Sequence, residues 1–120
     1  MVPMRNAGTA TIPAGAAVKA VAQDGVFGAG VVQVNAANDL AVAGIAVDAI
    51  PAGKWGRVAL RGGGGTVRVR TGASVAVNDR LATDTQGRFV ANNTANTPVV
   101  VAVALEAAGA ADSIVHAVLV

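Results

Sequence analysis

Arg57-Val58-Ala59-Leu60-Arg61 and Thr66-Val67-Arg68-Val69-Arg70, separated by Gly62–Gly65, form the stretch on which the fold class turns. Side chains two residues apart share one face of an extended chain. Val58 and Leu60 therefore fall together, opposite Arg57 and Arg61, and Val67 and Val69 fall opposite Arg68 and Arg70. A hairpin closing over Gly62–Gly65 is expected to pair Leu60 with Val67 and Val58 with Val69, so that the apolar faces coincide as a half-buried antiparallel pair requires. That register sets Arg57 opposite Arg70, with Arg61 and Arg68 nearby. Like charges across a ladder repel, so four arginines on one face need solvent or acidic partners. Guanidinium forks bind carboxylates through two parallel hydrogen bonds, which makes this face a candidate docking surface. A solvated outer face is the plainer account.

Outward from this stretch the same texture continues. Short Val-rich runs predict strands near 9–12, 16–22, 30–34, 41–49, 56–61, 66–70, 74–77, 88–91, 98–105 and 113–120. Turn chemistry separates them at Pro13-Ala14-Gly15, Gln23-Asp24-Gly25, Asn35–Asp39, Pro51-Ala52-Gly53, Gly62–Gly65, Asn78-Asp79 and Asp84–Gly87. The expected fold is all-β, a small β-barrel or β-sandwich of short strands. A short helical turn over 105–111 is an alternative, but Gly109 and the flanking Val-rich runs favour a strand end and a loop. Residues 1–8 read as a poorly patterned N-terminal arm and residues 9–120 as a single β domain. Two internal echoes stand out. Ile12-Pro13-Ala14-Gly15 resembles Ile50-Pro51-Ala52-Gly53, and Ala46-Val47-Asp48-Ala49 resembles Ala104-Leu105-Glu106-Ala107. Both pairs are too short and irregularly spaced for a solenoid, and read as one β-turn-β device used more than once.

The core implied by these strands is built from small side chains. The chain of 120 residues is 53% hydrophobic, yet its aromatics are only Phe27, Trp55 and Phe89. A buried Leu or Phe contributes roughly 1.5–3 kcal/mol against about 0.8 kcal/mol for one methyl-sized group. Surface buried against another copy or a partner would offset that deficit, which points to an oligomer. The sequence has no cysteine, so disulfides, thiolate zinc sites and cysteine nucleophiles are excluded. The net charge is +2, and no block of like charges suggests a nucleic-acid tail. Stacking aromatics for single-stranded nucleic acid are also too few. The apolar runs Leu40–Val47 and Val99–Leu105 fall far short of the ~20 residues that span a bilayer. The opening Met1-Val2-Pro3-Met4-Arg5-Asn6 lacks the apolar segment of a signal peptide.

Catalytic chemistry has little to work with. His116 is the only histidine and alternates with Ile114 and Val118 in the last strand, as a rim residue does. Ser74 and Ser113 sit in no nucleophile elbow. The carboxylates lie mostly at turns, where Asp commonly caps its own backbone. Asp79 and Asp84 lack the spacing of a calcium loop, and Gly62–Gly65 lacks the Lys-Ser/Thr ending of a phosphate loop. No catalytic residue, metal ligand or cofactor site is expected, and the chain reads as a non-enzyme. Trp55, between Gly53-Lys54 and Gly56, reads as a turn residue, suited equally to an interface and to folding over a core of small residues.

Three segments carry a family resemblance. Thr11-Ile12-Pro13-Ala14-Gly15-Ala16-Ala17-Val18 supplies an I-P-x-G-x-x-V opening. Gly44–Gly53, followed by Gly56-Arg57-Val58-Ala59-Leu60-Arg61-Gly62, supplies a central G-I-A and G-x-V-x-L-x-G block. Ala73–Leu81, Asp84-Thr85-Gln86-Gly87 and Ala104-Leu105-Glu106-Ala107 supply the ending, with Asn78-Asp79 in place of the more usual Gly-Asp. In this order they resemble the tailed-phage capsid decoration, or cement, proteins. The resemblance implies a homotrimer on the outer capsid surface of a virion, made in the bacterial host cytoplasm, that binds and braces the major capsid protein shell. On that reading the candidate partner interface is Met4 and Arg5 of the arm, Trp55, and the arginines Arg57, Arg61, Arg68 and Arg70. The competing reading is a small carbohydrate- or ligand-binding β-domain, such as a fibre-tip or β-clip module.

Overall fold

The computed structural model describes residues 2–21, 30–39, 41–61, 66–92 and 102–119. The expected turn at 23–25, the Gly62–Gly65 loop and the start of the 98–105 strand lie outside them. Among the described residues ten strands are formed and no helix. The segment 105–111 is a strand end and loop. β1 (Val2–Asn6), β2 (Ala17–Val21), β3 (Gly30–Gln33), β4 (Val42–Ala46) and β5 (Trp55–Leu60) close a barrel in the order β1-β3-β2-β4-β5. β6 (Thr66–Arg70), β7 (Arg80–Thr83), β8 (Phe89–Ala91), β9 (Ala102–Ala104) and β10 (Ile114–Leu119) form a second sheet in the order β6-β10-β9-β7-β8. The all-β expectation holds, and it takes the form of a barrel with a second sheet beside it.

The 57–70 hairpin does not form. β5 lies between β4 and β1, with Val58 opposite Ala46 on one side and Val2 on the other. β6 pairs instead with β10, setting Val67 opposite Ala117 and Val69 opposite Val115. The faces are as the alternation requires, since Val58, Val67 and Val69 are buried while Arg57 and Arg68 are exposed. Leu60 is the exception, at 38% exposure. A period of two assigns a side chain to a face but names no partner strand. Here both edges of β5 are taken by strands that close the barrel.

Residues 1–8, expected as an arm, contribute β1 to that barrel. Val2–Arg5 pair antiparallel with Val58–Trp55, and Arg5 and Asn6 pair parallel with Gly30 and Val31. Met4 is buried with Ile12, Val18, Val31, Ile50 and Val58 in the core of the barrel. β1 was missed because Pro3 and Asn6 break the apolar texture. Pro3 has no N–H to donate, and Asn6 is buried only because its amide bonds the carbonyls of Ala10 and Ile50, both at 2.8 Å. β7 was also missed. The expected strands at 9–12 and 74–77 shrink to the isolated bridges Ile12↔Ile50 and Val75↔Ala108.

Those two bridges occupy matching places in two units with one topology. The edges of the second sheet meet at the parallel bridge Thr71↔Phe89, as β1 meets β3 at Asn6↔Val31. Both units then run first-third-second-fourth-fifth strand around their circumference. The turn bonds match as well. Asn6 N–H donates to Lys54 and Gly53 N–H to Asn6 in the first unit, while Thr71 N–H donates to Ser113 and Asp112 N–H to Thr71 in the second. Gly15 N–H donates to Ala46 in one and Asn78 N–H to Ala104 in the other. The left-handed residues fall in register too: Gly15 (φ 85°) with Asn78 (φ 70°), and Gly53 (φ 75°) with Asp112 (φ 59°). Asn78 thus keeps the turn that the more usual glycine would make, because a short amide side chain tolerates this conformation. Asn78→Gly is expected to melt at or above the wild-type temperature, whereas Asn78→Val should cost about 1–2 kcal/mol. Equal melting of the two variants would contradict the assignment.

The units are joined through backbone and core. Arg70 N–H donates to Gly15 (2.9 Å), Ala17 N–H to Gly87 (2.8 Å) and Asn38 N–H to Thr83 (3.0 Å). The buried Thr83 hydroxyl donates to Ala36 O at 3.1 Å and accepts from Asp39 N–H at 3.0 Å. Ala17, Val34, Val42 and Ile45 of the first unit pack into one cluster with Leu81, Phe89, Val69 and Val115 of the second. The result is an elongated body of 42 × 26 × 25 Å.

Candidate functional site

Matched topology makes the outer faces of β1/β5 and β6/β10 counterparts. Residues opposite one another across an antiparallel pair share a face. In the first unit, Trp55 lies opposite Arg5 and Arg57 opposite Pro3. In the second, Ile114 lies opposite Arg70 and His116 opposite Arg68. The inward residues of the same strands, Met4, Val58, Val67, Val69, Val115 and Ala117, fill the cores. Trp55 is therefore not a turn residue but the first residue of β5, 48% exposed. Ile114 holds the same place in β10 at 45%.

A carboxylate after the fourth strand anchors each face. Asp48 Oδ1 accepts from Arg57 Nη2 at 2.8 Å and Oδ2 from Arg57 Nε at 2.9 Å, the two-pronged geometry that guanidinium favours. This hydrogen bonding, ahead of the charge itself, holds the Asp48 carboxyl below the usual carboxylate range. In the second unit Glu106 accepts from the His116 backbone N–H at 2.7 Å and bonds the ring Nδ1. Here the backbone N–H is the larger cause of a lowered carboxyl pKa, followed by the ring, with Arg68 adding a smaller attraction. The scaffold bond is identical: Val47 N–H donates to Arg57 O and Leu105 N–H to His116 O, both at 2.9 Å. Asp48–Arg57 and Glu106–His116 are thus one device with a guanidinium in one unit and an imidazole in the other. Both pairs are solvent-exposed, so each adds little to stability.

The two faces differ around these anchors. Arg68 and His116, with Thr66, Val67 and Val47, line a groove of about 250 Å³ where the second sheet begins beside the end of β4. Arg5, Arg68 and Arg70 enter no ion pair among the described residues, and Arg70 Nε donates to the Ala14 carbonyl across the seam at 3.3 Å. Of the residues singled out in the sequence, Trp55, Arg5 and Arg57 share the first face and Arg68 and Arg70 the second. The single four-arginine face is thereby split, because the strands that carry it belong to different sheets. Met4 belongs to the core. Arg61 follows the end of β5, with its N–H on Ala43 O at 2.9 Å.

Sequence reading missed Asp48, Glu106, His116 and Ile114 as parts of these faces. The echo of Ala46-Val47-Asp48-Ala49 in Ala104-Leu105-Glu106-Ala107 was the signal that could have found them, since it marks the matching ends of β4 and β9. The other echo marks one turn used twice within the first unit. Ile12 and Ile50 are bridge partners, and each leads into a turn containing a left-handed glycine, Gly15 or Gly53, closed by Ala16 N–H on Pro13 O and Lys54 N–H on Pro51 O. Asp79 and Asp84 serve turns, with Asp79 accepting from Ala76 N–H and Asp84 from Gln86 and Arg88 N–H. Among the described residues, no three His, Cys, Asp or Glu side chains come together as a metal set.

No family model matches the chain, and no curated protein matches it in sequence. Among solved structures the chain is similar to the head fibre gp8.5 N base of bacteriophage phi29, with a TM-score of 0.75 and 19% identity. The match covers 99% of this chain and 92% of that one. At that identity the likeness is one of fold.

Proposed function

We propose that this chain is a structural protein of a phage virion, which decorates the capsid by binding the shell of major capsid protein and stabilises it as a homotrimer. The supporting observation is the fold shared along 99% of the chain with a phage head fibre base. The outward basic and apolar faces agree with a role exercised through surface contact and not through catalysis. Its place is then the outer capsid surface, after synthesis in the cytoplasm of a bacterial host. Many modest contacts per shell, each tying neighbouring subunits, would have to fail together before the shell ruptured. The core of small side chains supports self-association, because trimer contacts would add the buried surface that Ala and Val supply sparingly.

The test uses purified protein and empty shells of the major capsid protein encoded in the same genome. Co-sedimentation with the shells and a higher rupture temperature are expected. Light scattering should give three times the 11.7 kDa chain mass. A strict monomer that ignores the shells and binds a glycan array would overturn the reading in favour of a carbohydrate-binding module.

A further inference from the structure

We infer that the outer faces of β1/β5 and β6/β10 are two like docking surfaces, so that one chain grips two copies of a single partner epitope bearing a carboxylate beside an apolar side chain. This deepens the capsid reading and rests on it. A shell of identical subunits offers such an epitope repeatedly.

The argument begins with what the register equates. Trp55 and Ile114 are counterparts, as are Arg5 and Arg70, Arg57 and His116, and Asp48 and Glu106. Shared topology alone explains matching cores. It does not explain why solvent-facing positions carry the same kinds of side chain. Among the described residues the exposed large apolar side chains are Trp55, Leu60, Val77, Leu105 and Ile114, and two of these five occupy the same place beside counterpart arginines, Arg5 and Arg70. An exposed apolar side chain ringed by polar groups is the usual centre of a protein contact. The chemistry of the epitope follows from charge. Asp48 already neutralises Arg57, so the cations left to be met are Arg5 on one face and Arg68 and Arg70 on the other. Each is a guanidinium, whose fork is best matched by a carboxylate.

Two faces on one rigid body also make a quantitative demand. Once one face is bound, the second binds as an intramolecular event, raising overall affinity about 10²–10⁴-fold over either face alone. The experiment measures dissociation from immobilised empty shells for wild type, W55S/R5S on the first face, I114S/R70S on the second, and the fourfold variant. Each single-face variant is expected to leave about 10²–10⁴ times faster than wild type, the two agreeing within about tenfold, and the fourfold variant should not bind. A single-face variant that dissociates like wild type would show that only the other face docks. Complete loss from either single-face variant would show one composite site instead of two. Both results overturn the inference while leaving the capsid reading intact. Wild-type protein that fails to bind the shells would remove that reading and this inference with it. Any variant without a cooperative melt is replaced by Arg5→Gln or Arg70→Gln, for which the same comparison holds.

Discussion

Phe89→Ala should lower the unfolding free energy by about 3–5 kcal/mol, the usual cost of removing a buried phenyl ring. Phe89 is the largest of the fully buried side chains among the described residues. It packs in the cluster that joins Ala17, Val34, Val42 and Ile45 of the first unit to the second unit. Its neighbours are mostly Ala and Val, whose short side chains cannot reach into the space left behind. The residual cavity would therefore stay open at the seam. Small domains are stable by only about 5–15 kcal/mol, so this change alone removes a large part of the total. Chemical denaturation monitored by circular dichroism reads the loss directly. Val31 holds the counterpart position in the first barrel, so Val31→Ala should cost less because fewer atoms are removed. A loss below about 1 kcal/mol for Phe89→Ala would show that the two units do not share a working core.

Gly44→Ala should be as damaging although it adds a single methyl group. A Cβ at Gly44 would lie 3.0 Å from the Ala59 carbonyl carbon and 3.1 Å from Leu60 Cα, and closer still to the Ala59 oxygen. These are backbone atoms of β5, which is held on its other side by β1, so the clash cannot be relieved by a rotamer change. Separating β4 from β5 would open the closed barrel. The expected cost is about 3 kcal/mol or more, at the upper end of overpacking substitutions. Most of the variant should appear in the insoluble fraction, with an early melt for whatever remains soluble. Gly109→Ala supplies the contrast, because a Cβ there meets nothing within 4 Å. The counterpart of Gly44 in the second unit is Ala102, opposite Leu81 and Leu119 as Gly44 is opposite Val18 and Leu60. A methyl group is thus accommodated at that place in the second sheet and excluded from the closed barrel. Wild-type stability in Gly44→Ala would mean that β4 and β5 can part at no cost.

Legibility in the sequence varied with the kind of question asked. Alternation in Thr66-Val67-Arg68-Val69-Arg70 gave β6 its bounds and its inward face, because period two follows from strand geometry alone. The same reasoning placed β2, β3, β8 and β10 within a residue or so at most ends. It failed at β1, where Asn6 is buried through hydrogen bonds to turn carbonyls that exist only in the folded chain. It failed again for partners. β5 and β6 are neighbours in sequence but belong to different sheets, and nothing in their side chains announces it. The candidate site shared that fate. Trp55, Arg57 and Arg68 are exposed and Arg5 and Arg70 half-buried, and their division between two matching faces depended on strand pairing.

What the sequence determined by itself was the class of structure and the inward face of strands such as β6. Both follow from short-range facts: residue spacing, turn chemistry at Gly15, Gly53 and Asn78, and the scarcity of large apolar groups. Only the tertiary structure decided that the chain is two units of one topology. Arg57 and His116 share a role, for example, because each meets the carboxylate that follows a fourth strand, not because their side chains are alike. Equivalence of that kind lives in backbone register, which long-range hydrogen bonds establish and which residue identity leaves open.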